Sequence, residues 1–582
     1  MAASLFAASL PAACMSAETA TTSETVAATG ETLAQDVLSE GTPVDVGTSF
    51  VGNYLAGRHA QVQRDGGKAI HYFRLALEEE PDNADLMLRA AVVMISEGAF
   101  ADAVTLARKL DKDGVDNTVI HYALAVDDIG AGRFAEAGGR LAGLPENGIN
   151  HYVGAMLRAW ALVGLGDTEA ARAALAELKR GEGTDALADL HEALMLDMAG
   201  RRKDAGESFR RAVSDGGGPA FRAVELYGAF LERSGEPMEA RRIYQGFLAE
   251  HPDSYLLQPA LARLDGGAPP VREVASASDG AAQALFDLAG AFRQQSAQEM
   301  ALILGRLALV LKPDFSVAQF LVGDILETSE RQESANQVYS AIDAASPFAR
   351  AANIRVALNL NALNRTEEAV ALLRKMAREN PKDPEPLITL GNILRGHQRF
   401  VEAVEIYDQA VARVGSLKKQ HWSLLYSRGM ALERSKQWAR AEADFLKALE
   451  FEPEQPYVLN YLGYSWVDMG LHLERAMEMI RKAVELRPND GYIVDSLGWA
   501  LYRLGDIKGA VRELERAVEL RPEDPVINDH LGDAYWKAGR RQEARFQWRR
   551  SLGFEPESDL VAAIEKKLKT GIVEDKAPGG NG

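Results

Sequence analysis

Cysteine is almost absent from this 582-residue chain, which has a single one at position 14. One cysteine excludes an internal disulfide and any metal or iron–sulfur site built from several thiolates. Basic residues are also in deficit, because 65 lysines and arginines stand against 84 acidic residues, giving a net charge of −19. This balance argues against a general nucleic-acid binder, which needs a surplus of cations to neutralise phosphates.

Long apolar runs and catalytic motifs are missing as well. No run reaches the roughly 18 residues that a membrane-spanning helix needs. The patterns GxxxxGK[ST], GxSxG and HExxH do not occur, and His191-Glu192 lacks a second histidine at the right spacing. Asp529, His530 and Asp533 can share part of a helix face, but acidic residues on helices are more often solvated than metal-bound. We therefore expect no enzyme activity, no cofactor and no metal.

The N-terminal residues 1–13 are small, apolar and uncharged. An apolar core followed by small residues is typical of a secretory signal, although the basic segment that should precede it is missing. We predict a signal segment over residues 1–14, followed by a disordered tether over 15–47 that is too polar to fold. Residues 571–582 are predicted to be a disordered tail. The alternative is a cytoplasmic protein whose N-terminal tail contains an incidental thiol.

A repeated alanine dominates the rest of the chain. Fourteen alanines keep one phase, and nine of the thirteen steps between them are 34 residues long. They are Ala69, Ala103, Ala137, Ala171, Ala205, Ala240, Ala301, Ala335, Ala369, Ala403, Ala441, Ala476, Ala510 and Ala544. A small residue usually stands twelve positions before the alanine, and a proline often follows twelve positions after it. This pattern is similar to the tetratricopeptide repeat (TPR) over about 500 residues.

Each repeat is predicted to be two amphipathic helices. In the unit from Gly491 to Asp524, apolar residues recur at helical spacing and form the expected buried stripe. That stripe consists of Val494, Leu497, Leu501, Leu514 and Val518. A glycine is expected at Gly498 because only a small residue lets the two helix backbones approach each other there. Gly505 is expected to end the first helix. Stacked pairs predict an all-α fold, a right-handed α/α superhelix of about fourteen repeats.

Breaks in the period predict the domain organisation. The step from Ala240 to Ala301 is 61 residues, and its excess has the composition of a loop. We predict six repeats over residues 48–252, a linker or hinge over 253–281 and eight repeats over 282–556. A capping helix is predicted over 557–570.

The first helices of the last three repeats are predicted to line a concave groove with aromatic and acidic side chains. Such rings are typical anchors for a protein partner, and interleaved carboxylates favour a partner with lysine, arginine or a free amine. The alternative is that some rings only fill space between repeats. The predicted groove residues are Tyr457, Asn460, Tyr461, Tyr464, Tyr492, Asp495, Trp499, Tyr502, Asp529, Asp533 and Trp536.

Two stretches resemble proteins of the Gram-negative envelope. Leu10-Pro11-Ala12-Ala13-Cys14 resembles a lipobox, which implies lipidation at Cys14. The segments Leu462-Gly463-Tyr464, Asp495–Trp499, Tyr502–Gly505 and His530–Asp533 resemble large multi-TPR envelope proteins. These include the outer-membrane lipoprotein adaptor that binds and activates a periplasmic carboxyl-terminal processing protease.

The resemblance implies a non-enzymatic scaffold or adaptor at the periplasmic side of the outer membrane. It would be anchored by lipid at Cys14 and would present a carboxyl-terminal processing protease or its substrates. Two alternatives stay open: an assembly factor for polysaccharide export or a secretion machine, and a cytoplasmic TPR protein.

Overall fold

The computed structural model of the chain describes residues 49–179, 183–214, 220–251 and 254–572. The regular elements in these ranges are all helices, with no strand among them. The predicted signal segment, the tether and Cys14 lie outside the described residues, as does the tail beyond residue 572. The predicted all-α fold class is confirmed.

The described residues form thirty α-helices and two short 3-10 turns, Gly148–His151 and Lys419–His421. In chain order the α-helices are α1 Phe50–Val62, α2 Gly66–Glu79, α3 Ala84–Glu97, α4 Phe100–Lys112, α5 Thr118–Gly130, α6 Phe134–Ala142, α7 Val153–Gly164, α8 Thr168–Leu178, α9 Asp185–Met198, α10 Arg202–Ala212, α11 Phe221–Arg233, α12 Pro237–Glu250, α13 Gln258–Leu264, α14 Ala277–Gln294, α15 Gln298–Leu311, α16 Ser316–Thr328, α17 Gln332–Ser340, α18 Ala349–Ala362, α19 Thr366–Glu379, α20 Glu385–Gly396, α21 Phe400–Val414, α22 Trp422–Arg434, α23 Trp438–Phe451, α24 Pro456–Met469, α25 Leu473–Leu486, α26 Gly491–Arg503, α27 Ile507–Leu520, α28 Pro525–Lys537, α29 Arg541–Leu552 and α30 Ser558–Thr570.

The phased alanines mark the second helix of every repeat. Each of the fourteen is the fourth residue of its helix, from Ala69 in α2 to Ala544 in α29. All fourteen are fully buried, with 0% of their surface exposed. A methyl side chain at this point lets the neighbouring backbone come close, which a larger residue would prevent. Thirteen of the fourteen predicted repeats correspond to helix pairs that contact each other, all except α18 and α19, and α13 and α30 stand outside the repeats.

A glycine of the first helix faces a large side chain of the second helix, sixteen residues later. A Cβ atom added to Gly391 would lie 2.5 Å from Cε1 of Tyr407, and one added to Gly532 would lie 2.4 Å from Cδ1 of Trp548. The same contact joins Gly57 to Phe73, Gly228 to Tyr244, Gly323 to Tyr339, Gly429 to Phe445 and Gly498 to Leu514. The predicted stripe of α26 and α27 is confirmed, because its five residues are at most 8% exposed.

Two glycines of α20 provide a test of this contact. Gly391→Ala should destabilise the chain by about 1–3 kcal/mol, because the new methyl group overlaps the Tyr407 ring, which a hydrogen bond to Asn392 holds in place. Gly396→Ala is the control, since nothing lies within 4 Å of a Cβ there. Urea unfolding of the full chain followed by circular dichroism measures both variants. Equal midpoints for the two would show that the contact does not matter.

Contacts divide the chain into two compact units, unit 1 ending at Arg365 and unit 2 beginning at Thr366. In unit 1, α14 packs against α7 and α9, and α15 packs against α3 and α5. These four partners are all first helices of their pairs. The side that the first repeats should offer to a ligand is therefore covered by later helices of the same unit.

A buried polar network keeps α14 in this position. Trp160 Nε1 donates a hydrogen bond to His191 Nδ1 at 3.0 Å, and His191 Nε2 lies 3.1 Å from Asp287 Oδ2 on α14. Because an indole nitrogen can only donate, Nδ1 must accept, and Nε2 donates to Asp287. Gly280 makes room for the indole, since a Cβ there would lie 2.2 Å from Cζ3 of Trp160.

Contacts between residues at least 210 positions apart continue this packing. Arg306 Nε donates to the carbonyl of Ser96 at 3.1 Å, Arg64 donates to the carbonyl of Ser329 at 2.7 Å, and Arg331 pairs with Glu97. The predicted linker at 253–281 is thus followed by helices that pack back onto the first repeats. The predicted hinge stays a prediction from the sequence period, and the contacts divide the chain at Arg365 instead.

Unit 2 contains α19 to α30. Among its first helices, α24 contacts α26, and α26 contacts α28. We call the side of α24, α26 and α28 that points away from their paired second helices the inner face of unit 2. The last helix, α30, begins at Ser558 and ends at Thr570, where the sequence places the capping helix, and it packs on α29.

Candidate partner-binding face

Equivalent residues near the start of α24, α26 and α28 form an exposed row. The residue just before each helix accepts, through its side chain, a hydrogen bond from the backbone N–H of the row residue. Gln455 accepts from Tyr457, Asp490 from Tyr492 and Asp524 from Val526. Tyr457 is 41% exposed, Tyr492 is 53% exposed and Val526 is 44% exposed. The repeat therefore places three large side chains in register at one edge of the inner face.

Deeper in the inner face, three rings lie parallel. Trp499 stacks on His530 with ring centroids 4.0 Å apart, and on Tyr502 with centroids 4.9 Å apart. His530 Nδ1 lies 3.0 Å from each carboxylate oxygen of Asp495, which is buried. Because Asp495 holds the imidazole, the stack joins α26 to α28 and leaves Trp499 and Tyr502 half-buried.

Buried charges shift the pKa of His530, the imidazole in this stack. Burial alone lowers the pKa of His530, but the carboxylates of Asp495, Asp529 and Asp533 raise it above its ordinary value. Burial and the Asp529 charge raise the pKa of Asp533 to about 6, against the opposing effect of Lys567. The His530–Asp495 contact is thus an ion pair over a wider pH range than a solvated histidine would allow.

Asn460 and Tyr464 follow Tyr457 on α24 by about one and two helical turns. Asn460 Nδ2 donates to Ser496 Oγ at 3.1 Å, which ties α24 to α26. Tyr464 is half-buried, and burial, with the charges of Asp495 and Asp468, raises the pKa of its hydroxyl to about 12. Its hydroxyl therefore remains protonated and can donate a hydrogen bond.

Tyr461 lies outside this arrangement. Its hydroxyl donates to Glu433 Oε2 at 3.0 Å, and its ring packs against Phe445 and Tyr426 at centroid distances of 5.2 and 6.1 Å. These contacts reach back to the preceding repeat. Tyr461 therefore fills space between repeats, which is the alternative that the sequence left open for some of the rings.

Helix α30 covers the end of the inner face. Lys567 Nζ lies 2.7 Å from Asp529 Oδ2 and 2.8 Å from Asp533 Oδ2. Trp548 Nε1 donates to the other oxygen of Asp533 at 2.9 Å. Gly571 follows α30, and a Cβ there would lie 2.0 Å from Cζ2 of Trp536. Asp529, Asp533 and Trp536 are therefore occupied by the chain's own C-terminal residues.

The predicted role of the carboxylates needs correction. Asp495, Asp529 and Asp533 are each no more than 7% exposed, and each has an internal cationic partner. A cationic partner protein cannot reach Asp495 while His530 is bound to it, or Asp529 and Asp533 while Lys567 is in place. The side chains that remain accessible on the inner face are mainly the rings.

Sequence reasoning missed two cations. The sequence places Lys567 only in the predicted capping helix, and His530 only in a possible metal-binding group and in a segment of the family resemblance. A signal for Lys567 was available in Asp529 and Asp533, which lie four residues apart and therefore share one face of a first helix. Two carboxylates on the buried side of a helix require a cation.

Two further kinds of site are absent from the described residues. No three side chains of histidine, cysteine, aspartate or glutamate gather as a metal ion would require in this part of the chain. Among the described helices, none combines the length and the apolar character needed to cross a bilayer.

Comparisons with protein families identify the repeat class. The family described as Tetratricopeptide repeat matches residues 63–126 and 360–425, and the family described as TPR repeat matches residues 498–539. The chain is a multi-TPR protein, and its repeats are those of protein–protein interaction scaffolds, a class that is typically non-catalytic. No curated protein matches it in sequence.

Several solved structures are similar to the chain. The APC/C hetero-tetramer Cut9–Hcn1 is 16% identical, with 90% of this chain and 97% of that chain covered and a TM-score of 0.38. Yeast Tom70 is 14% identical over 90% and 95%, with a TM-score of 0.34. YrrB, described as a TPR protein with an unusual peptide-binding site, is 22% identical over 33% and 97%, with a TM-score of 0.26.

Replacing Lys567 tests whether its ion pairs with Asp529 and Asp533 hold α30 against α28. Lys567→Ala should speed amide hydrogen exchange in α30 by about tenfold or more, because two buried carboxylates lose their cation. Lys566→Ala is the matched control, since Lys566 is exposed on the same helix. If both variants exchange alike, the Lys567 contacts do not secure the helix.

The raised pKa of Asp533 predicts a pH dependence. The folded protein binds this proton more tightly than the unfolded chain, so its stabilisation is present below about pH 4 and is lost as pH rises through about 6. Asp533→Asn keeps an acceptor for Trp548 but does not titrate. By pH 7 the wild type should have lost about 2–3 kcal/mol relative to this variant. Hydrogen exchange of α28 at several pH values, corrected for intrinsic rates, measures the difference, and a constant difference contradicts the assignment.

Proposed function

We propose that this scaffold holds a protein partner on the inner face of unit 2. The supporting observation is the exposed row of Tyr457, Tyr492 and Val526 beside the half-buried Trp499 and Tyr502. Large apolar side chains that point away from the packing side of a helix are typical of interaction sites. Aromatic rings contribute most of the binding free energy at such sites because they bury a large, rigid surface.

The chemistry of the face indicates how the partner is recognised. Its carboxylates are already paired inside the protein, so apolar contacts with the rings supply most of the affinity. Tyr464 can add a hydrogen bond through its hydroxyl. The partner therefore contributes an apolar segment, either extended or helical, with a few hydrogen-bond acceptors.

The proposed location is the cell envelope, with the protein at the periplasmic side of the outer membrane. This part of the proposal is supported by the signal-like residues 1–14, by the lipobox-like sequence at Cys14 and by the resemblance of the C-terminal repeats. The proposed partner is a carboxyl-terminal processing protease or one of its substrates. A scaffold of this kind acts by raising the local concentration of its partner and fixing its orientation.

Substitution of the exposed rings tests the site. The variant Tyr457→Ala/Tyr492→Ala, alone and with Trp499→Ala, should capture about tenfold less of the partner from the envelope fraction of the source bacterium. Quantitative mass spectrometry of the captured proteins measures the loss. The control is Met238→Ala/Val401→Ala, which removes apolar side chains that are 76% and 62% exposed on second helices.

The outcomes separate the site from the partner. If the ring variants and the control lose the same proteins, the inner face of unit 2 is not the binding site. If a purified processing protease does not bind the wild-type chain, the protease is not the partner, but the proposal that the chain is a scaffold still stands. Partners that belong to an export complex would favour the assembly factor. Mass measurement of the mature N-terminus distinguishes lipidated Cys14 from an intact cytoplasmic chain.

A further inference from the structure

The outward side of α29 combines four arginines with a protruding ring. Arg541, Arg545 and Arg549 are spaced four residues apart and therefore form one row, and Phe546 lies beside them. Phe546 is 61% exposed, whereas Trp548 on the opposite side is fully buried. We call Arg541, Arg545, Phe546, Arg549 and Arg550 the basic face.

The charge of the basic face is not neutralised by its surroundings. Glu543 is the one acidic residue of α29, and it is bound by Arg540, whose Nε lies 2.8 Å from Oε2. Arg541 and Arg550 lie over the rings of Trp536 and Phe554, at 4.6 and 5.7 Å from their centroids. Within the described residues, Arg545 and Arg549 form no ion pair. The basic face is therefore a local exception in a chain of net charge −19.

The shape of the basic face restricts its partner. It is the convex side of one helix, and it spans about 12 Å from Arg541 to Arg549 at 1.5 Å per residue. A stable protein complex buries about 800 Å² on each partner, which is more than two turns of one helix supply. A lipid surface needs no complementary groove, and its phosphates accept paired hydrogen bonds from guanidinium groups.

From this combination we propose that α29 docks unit 2 on an anionic phospholipid surface. Arg545, Arg549 and Arg550 contact the phosphates, and Phe546 enters the headgroup region between them. The rest of the acidic chain is repelled by the same surface, so the basic face also sets the orientation of docking. This docking is independent of a lipid at Cys14 and of the partner proposed for the inner face.

Vesicle sedimentation of the full chain tests the proposal, with Cys14→Ser present in every variant so that no acyl group contributes. The unmodified basic face should bind vesicles of phosphatidylcholine with about 30% phosphatidylglycerol and should not bind phosphatidylcholine alone. Arg545→Glu/Arg549→Glu should lower the partition coefficient by about tenfold or more. Phe546→Ser should lower it by about threefold to tenfold.

Matched controls separate this face from general charge effects. Arg378→Glu/Arg481→Glu makes the same change in charge at exposed positions of α19 and α25, and Val401→Ser removes another side chain that is 62% exposed. Both controls should bind as the parent chain does. If the controls lose as much vesicle binding as the basic-face variants, the proposal is overturned. It is also overturned if the parent chain does not bind anionic vesicles. Binding to soluble polyglutamate without binding to vesicles would also overturn it, and would assign the face to an acidic polypeptide.

Discussion

The close approach of two helices at a glycine, with a large side chain of the second helix against it, recurs from Gly57 and Phe73 to Gly532 and Trp548. Protein interiors are packed about as densely as organic crystals, so this contact sets the distance between the two helices of a pair. A pair built in this way still has an apolar side that only a neighbouring pair can cover. The ends and inner sides of such an array therefore need other cover.

In each unit, helices of the same unit provide this cover. In unit 1, α14 and α15 lie on first helices of the early repeats, where Gly280 admits the Trp160 ring and His191 bonds Asp287. In unit 2, α30 places Lys567 between Asp529 and Asp533. A surface that is already covered by its own chain is not available to a partner. The free part of the inner face is thus the region around Tyr457, Tyr492 and Trp499.

Buried charges show where prediction from the sequence stops. The positions of Asp495, Asp529 and Asp533 on first helices followed from the period. Their burial did not follow, because it depends on His530 one repeat later and on Lys567 beyond the last repeat. The same limit applies to Tyr461, whose partners Glu433 and Tyr426 belong to the preceding repeat. Periodicity describes one repeat, whereas these contacts join different repeats.

The sequence alone determined the all-α fold, the number of helix pairs and the identity of the buried small residues. It could do so because the local period places the same side chain at the same depth in every pair, as the fourteen buried alanines show. Only the tertiary structure decided which faces are free, because α14, α15 and α30 reach surfaces far away in the sequence. No local pattern records which distant helix covers a face, since an apolar or acidic surface looks the same in sequence whether it meets a partner or its own chain.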